Sequence, residues 1–175
     1  MNRIGVVATI LLTLLLAGCG SMQPGSAAAR PDGVDGQLGD LRLLGVAVDS
    51  PGARGSMHIA GDDAALLLTI ANNGKAEDVL TGASADVAQQ VVFQNGDGPP
   101  VPQLHVPVPA GDVTILREVT APHLELSGLR EALRTGSSVP VTFEFGTGGT
   151  LTLDVPIHTY TDVAVDRLPQ PLTVG

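Results

Sequence analysis

The last third of the chain carries the pattern that most restricts its fold. Val141, Phe143 and Phe145 alternate with Thr142 and Glu144. After Gly146-Thr147-Gly148-Gly149, the apolar residues Leu151, Leu153, Val155 and Ile157 alternate with Thr152, Asp154 and His158. Successive side chains of an extended strand point to opposite faces, so this period of two predicts a hairpin with one buried and one wet face. A helix buries residues three and four apart and would scatter this set around its circumference. The same period recurs upstream. Leu41 and Leu43 step into Val46 and Val48, with a slip at Leu44-Gly45 that predicts a bulge. Leu66, Leu68 and Ile70 alternate and run into Asn72-Asn73-Gly74, a turn signal. Shorter candidates cover Val79–Ala85, Gln90–Phe93 and the residues around Val113 and Ile115, which follow a Pro109-Ala110-Gly111-Asp112 turn. Strand-sized segments at roughly 8–12-residue spacing, with Gly, Pro and Asn between them, predict an all-β sandwich. Only Leu126–Leu133 reads as helical, a turn or two ended by Gly136. Aromatic residues make up 2 % of the chain, so leucine and valine must fill the core.

The N-terminus has a different character. Met1-Asn2-Arg3 is a short basic start, Ile4–Leu16 is an apolar run without charge, and Leu16-Ala17-Gly18-Cys19 places the single cysteine directly behind it. The run is too short for the ~20 residues a membrane-spanning helix needs, and it has the form of a signal-peptide core. The reading is a lipoprotein signal peptide over 1–18, with Cys19 the acylated first residue of the mature protein, carrying a diacylglycerol thioether and fatty acyl chains such as palmitate. A thioether consumes the thiol and leaves it no disulfide, redox or metal role. Two or more acyl chains anchor stably where one does not, so the expected address is the extracytoplasmic face of the cell membrane. Residues 19–37 are small, polar and proline-punctuated and read as a flexible linker. The sandwich is then expected over 38–160, with a tail at 161–175.

A net charge of −9 and few aromatic rings argue against nucleic acid, which asks for basic stripes and stacking platforms. No Gly-x-Ser-x-Gly occurs, no cysteine is left for a Cys–His pair, and no glycine-rich loop opens a long helix. Asp62-Asp63 reads as a solvated turn. The chain is not expected to be an enzyme. What remains is a sparse set of metal-capable side chains: Met57-His58 in a glycine-rich loop, His105, His123 with Glu125, and His158 on the wet face of the last strand. On an extended segment His123 and Glu125 project from the same face, giving a two-donor metal corner.

Three blocks of the sequence resemble the PCu(A)C periplasmic copper chaperones and the related lipoproteins of actinobacteria. They are LLLTIANNGKAEDVLTGASA (Leu66–Ala85), VPVPAG (Val106–Gly111) and HLELSGLREALRTGSSVPVTFEF (His123–Phe145). The resemblance implies a cupredoxin-like, immunoglobulin-type β-sandwich and copper handling. The family binds copper through a spaced His…Met…His-x-Met pattern. Its first His falls here on Gln94, its second His on His123, and its last Met on Glu125. Its first Met falls on His105 counting from one side and on Val101 counting from the other, because the intervening loop is shorter. With the thioethers gone, imidazole plus carboxylate suits Cu(II) or Zn(II) better than Cu(I). Two functions follow as expectations. One is an envelope lipoprotein that binds copper, or another divalent metal, through His123, Glu125 and His105 as a third ligand, and delivers it to an envelope cuproprotein such as a terminal oxidase. The other is a metal-free sandwich that binds another envelope protein.

Overall fold

Residues 29–30, 33–52 and 55–159 are described by the computed structural model. The signal peptide, Cys19, most of the linker and the tail at 161–175 lie outside them. The larger sheet runs β1 (Ala29–Arg30), β2 (Gly33–Leu38), β3 (Leu41–Val48), β5 (Ala64–Asn72), β10 (Pro122–Leu129), β7 (Ala88–Asn95). A further strand, β9 (Val113–Leu116), also pairs with β5. The smaller sheet runs β13 (Gly149–Pro156), β12 (Ser138–Phe145), β6 (Asp78–Ser84), β8 (Val106–Val108). A two-residue ladder joins β4 (Met57–His58) to β11 (Leu133–Arg134).

The alternation read from the sequence is the alternation that is buried. Along β5 every second residue is buried, from Ala64 to Asn72, and Leu66, Leu68 and Ile70 are fully enclosed. In the facing sheet Val141, Phe143 and Phe145 of β12 and Leu153 and Val155 of β13 turn inward. The two inner faces form one core cluster dominated by leucine and valine. The hairpin is in register from Ser138↔Pro156 to Phe145↔Gly149. The bulge expected at Leu44-Gly45 is present: the β3–β5 register shifts between Leu44 and Ala47. Gly45 sits there at φ +57°, its N–H donating to Asp35 Oδ1 at 2.8 Å and its carbonyl accepting from Arg117 Nη1 at 3.1 Å. A side chain at that position would run into the Arg117 guanidinium. The Asn72 turn closes the other end of β5. Asn72 is buried, and its side-chain amide donates to Ala76 O and Val108 O, tying the large sheet to β8 of the small one.

Four expectations are corrected. The helical turn expected over Leu126–Leu133 does not form. Leu126–Leu129 completes β10 and Leu133 begins β11, because pairing to β7 and β4 satisfies backbone groups that a lone helical turn leaves open. Met57-His58 is a short strand and not a loop, and His58 is buried, its Nε2–H donating to Asp49 O at 2.9 Å. His158 is half-buried, with Nε2 shielded and unpaired, because its backbone N–H is drawn onto Val48 O at the edge of the large sheet. The folded unit also starts earlier than residue 38. Residues 33–38, read as linker and first strand residue, form β2 against β3, with Val34 in the core.

Candidate metal centre

β10 lies between β5 and β7, and its two faces differ. Leu124 and Leu126 point into the core, fully buried. His123 and Glu125 point the other way, as two-residue spacing on a strand requires. Across the ladder His123 stands opposite Gln94, and Glu125 stands opposite Val92 on one side and Ala65 on the other. Opposed residues share a face, so Gln94, His123 and Glu125 form one cluster on the outer face of the large sheet.

This outer face is itself enclosed. Val92 and Ala47 are fully buried, yet neither belongs to the main core cluster. His123 is 3 % exposed. β9 and β10 follow one another along the same edge of β5, so residues 117–121 form an excursion between them. One end of it reaches Gly45 through Arg117, and the other brings the Thr120 carbonyl up to Gly96.

His123 Nδ1 lies 2.8 Å from Ala121 O. A carbonyl only accepts, so Nδ1 carries the proton and Nε2 keeps a lone pair for an outside partner. Metal-binding imidazoles are commonly fixed in this way, by a backbone carbonyl on the nitrogen that does not bind. Opposite it, Gln94 Oε1 is buried with no hydrogen-bond partner. Glu125 is half-buried, and its pKa is raised. Burial is the main cause, the Asp63 charge adds to it, and the neighbouring His123 opposes both. An imidazole nitrogen, an orphaned amide oxygen and a carboxylate held in water-poor surroundings make an N/O donor set. That set fits a divalent ion of the Cu(II) or Zn(II) type and lacks the sulfur that holds Cu(I).

His123 and Glu125 lie two residues apart on β10 and share its outer face. His105 is exposed in the loop between β7 and β8, and no three His, Cys, Asp or Glu side chains converge to hold a metal among the described residues. Val101 exchanges two backbone hydrogen bonds of 2.9 Å with Phe93, whose side chain packs against the core. Val101 thus shares the face opposite to Gln94. His58 spends one ring nitrogen on Asp49 O. Asp63 was read only as a turn acid; nothing in its sequence context shows that the chain returns it beside Glu125.

The chain is an all-β, two-sheet sandwich of the cupredoxin-like kind seen in PCuAC domains. The chain is similar in structure to the copper-bound PCuAC domain from PmoF2, with a TM-score of 0.58 and 16 % identity over 71 % of this chain and 97 % of that one. It is likewise similar to the apo PCuAC domain from PmoF1, with a TM-score of 0.59 and 15 % identity over 73 % of this chain and 99 % of that one. The chain belongs to the LpqE-like lipoprotein family, whose model matches residues 45–157. A search of curated proteins found no match.

Proposed function

We propose that this protein is a lipid-anchored, extracytoplasmic metal carrier of the copper-chaperone type, whose cargo binds at His123 and Glu125 with Gln94 beside them. The observation that carries the reading is the His123 ring bond to Ala121 O, which leaves Nε2 open on the sheet face that also carries the unpaired Gln94 oxygen. The similarity to PCuAC domains, one of them copper-bound, supports copper as the cargo. The donor set favours Cu(II) or Zn(II) over Cu(I). His105 is a third ligand only if its loop swings toward the pair. Membrane attachment is through Cys19, as the signal-like N-terminus and the family's lipoprotein character support. A mature protein without lipid mass on Cys19 in mass spectrometry would refute the anchor. The recipient is an envelope cuproprotein, a terminal oxidase being one such.

The test is calorimetric titration of the protein with Cu(II), Zn(II) and Cu(I). His123→Ala should abolish divalent binding, and Glu125→Gln should weaken it. Met57→Ala should leave it unchanged. Affinity should fall in acid, because protons compete with the metal for its ligands. Tight Cu(I) binding that survives His123→Ala would place the cargo elsewhere. Among the described residues no third ligand converges on the pair, which favours a second reading, a metal-free interaction module. Failure of every ion to bind would decide for it.

A further inference from the structure

An open groove of about 370 Å³ borders the candidate metal centre on the outer face of the large sheet. Its walls are the Asp49–Gly52 turn, the Ile59–Ala65 segment and Val119 of the 117–121 excursion. Ala65 is both a wall of the groove and the cross-strand partner of Glu125. The far wall is held firmly. Gly61 N–H donates to Leu129 O at 2.7 Å, Leu129 N–H to Asp62 O at 2.9 Å, and Gly128 N–H to Asp63 Oδ1 at 2.7 Å.

Two properties of this groove coincide. Asp49, Asp62 and Asp63 line it, while none of its lining residues is Lys or Arg. Its rim is apolar. Five large apolar side chains are exposed among the described residues, and two of them, Ile59 at 57 % and Val119 at 49 %, stand here, with Met57 half-buried between the walls. A single exposed aliphatic is ordinary on a protein surface, but a pair flanking a charged recess matches the apolar-and-polar makeup of interfaces. Lysine and arginine suit both properties at once: the methylene stem packs on apolar surface while the cationic head reaches a carboxylate.

We infer that the groove is a docking site for a lysine- or arginine-bearing loop of a partner protein. The stem of the basic side chain would lie against Ile59, Met57 and Val119, and its head among Asp49, Asp62 and Asp63. The inference rests on the carrier reading only for its purpose: a partner seated here stands directly beside His123 and Glu125, where cargo is handed over.

The test uses the full chain and a fluorescent octapeptide of alternating lysine and leucine, with control peptides carrying glutamine for lysine or serine for leucine. Anisotropy should show binding of the first peptide alone, weakening as salt is raised, since exposed charges are screened. Asp49→Asn and Asp62→Asn should each weaken it about fivefold, the scale of one exposed ion pair, and Val119→Ser should weaken it with no change in salt dependence. Equal binding by the glutamine peptide, or binding unmoved by these substitutions, would overturn the proposal. So would binding that appears only with Arg54→Ala or with a stop after Thr159, which would give the groove to the chain's own cations. A Cu(II) titration in parallel separates the two readings. Cu(II) bound at His123 with no peptide bound refutes the groove alone. Peptide bound with this dependence and no Cu(II) bound refutes the carrier and leaves the groove standing.

Discussion

Asp78 is a buried acid and Glu125 a half-buried one, and the sandwich treats them in opposite ways. Asp78 lies just past the Asn72 turn that ends β5, and Glu125 stands opposite Ala65 at that strand's beginning. Asp78 is 6 % exposed and accepts four hydrogen bonds: from Val79 N–H at 2.7 Å, Thr147 N–H at 3.0 Å, Thr147 Oγ1–H at 2.7 Å and Gly148 N–H at 2.8 Å. Burial alone would push its pKa up. The Thr147 hydroxyl and then the three amides outweigh burial and bring it below the usual carboxylate value. Glu125 accepts no hydrogen bond among the described residues; burial and Asp63 push it up, and the nearby His123 does not cancel them. A carboxylate whose lone pairs are all engaged locks a turn and has nothing left to offer a ligand. A carboxylate enclosed without donors costs stability when ionised and gains the most from an incoming cation. The difference separates the part of the molecule that holds the fold from the part available for function.

If that division is right, the largest losses of stability come from the closing hairpin and the residues packed on it. Phe143 is fully buried, and Phe143→Ala should destabilise by about 3–5 kcal/mol. Thr142, one residue along, points outward and bonds only to Thr152 at 2.8 Å, so Thr142→Ala should change stability by less than about 0.5 kcal/mol. Urea melts of the two variants measure this, and equal losses would break the assignment of faces. Asp78→Ala comes next, at about 1–3 kcal/mol, because it removes the acceptor that the Thr147 and Gly148 amides of the β12–β13 turn share. Its pH signature follows from the sign of the shift. A depressed folded-state pKa gives stability that is present above the unfolded value of 3.8 and lost as pH falls through the lower folded one. The wild type should therefore lose stability in that acid range, and Asp78→Asn should lack this component.

The sandwich was legible because its strands are two-sided: a period of two over β5, β12 and β13 leaves one arrangement that buries every leucine and valine. The bulge at Gly45 was legible from a break in the same period. Local reasoning failed where a long-range pairing decided the outcome. Leu126–Leu133 has helical spacing, but β7 and β4 supply ladders that no property of those eight residues announces. His58 and His158 were misplaced for the same reason: His58 pairs across a ladder with Leu133, and the His158 N–H donates to Val48 O. At the candidate site, the pairing of His123 with Glu125 needed only strand geometry. The opposition of Gln94 to His123 and the approach of Asp63 to Glu125 are products of register between distant strands. Spacing along the chain does not encode register.

Smaller effects sharpen the functional half of the comparison. Gln94 holds a buried acceptor without a partner, so Gln94→Leu should be neutral or stabilising by up to about 1 kcal/mol. A structural glutamine would instead lose stability on this change. The same variant should bind Cu(II) more weakly, and Gln94→His should bind it more tightly by adding a second imidazole on the same face. Thermal melts and ion titrations of both variants check this, and a destabilised Gln94→Leu with unchanged Cu(II) affinity would return Gln94 to a structural role.

Glu125→Gln is expected to have the smallest effect on stability and the clearest sign. Because the folded-state pKa of Glu125 lies above its unfolded value of 4.5, the folded protein binds more protons than the unfolded one across the interval between the two. Stability attributable to this group is fully present below the unfolded value and is lost as pH rises through the folded one. Glutamine keeps the shape of the protonated carboxyl and cannot ionise, so it removes that dependence. The variant should be more stable than wild type at neutral pH, and the two curves should converge in acid, which is the opposite of what Asp78→Asn does. Bound Cu(II) should reverse the ranking, because the metal stabilises more strongly the protein that retains its carboxylate ligand. Denaturant melts from acid to neutral pH, with and without the ion, read both effects. Parallel apo curves would mean that Glu125 is as well satisfied as Asp78, and the contrast between the two acids would be gone.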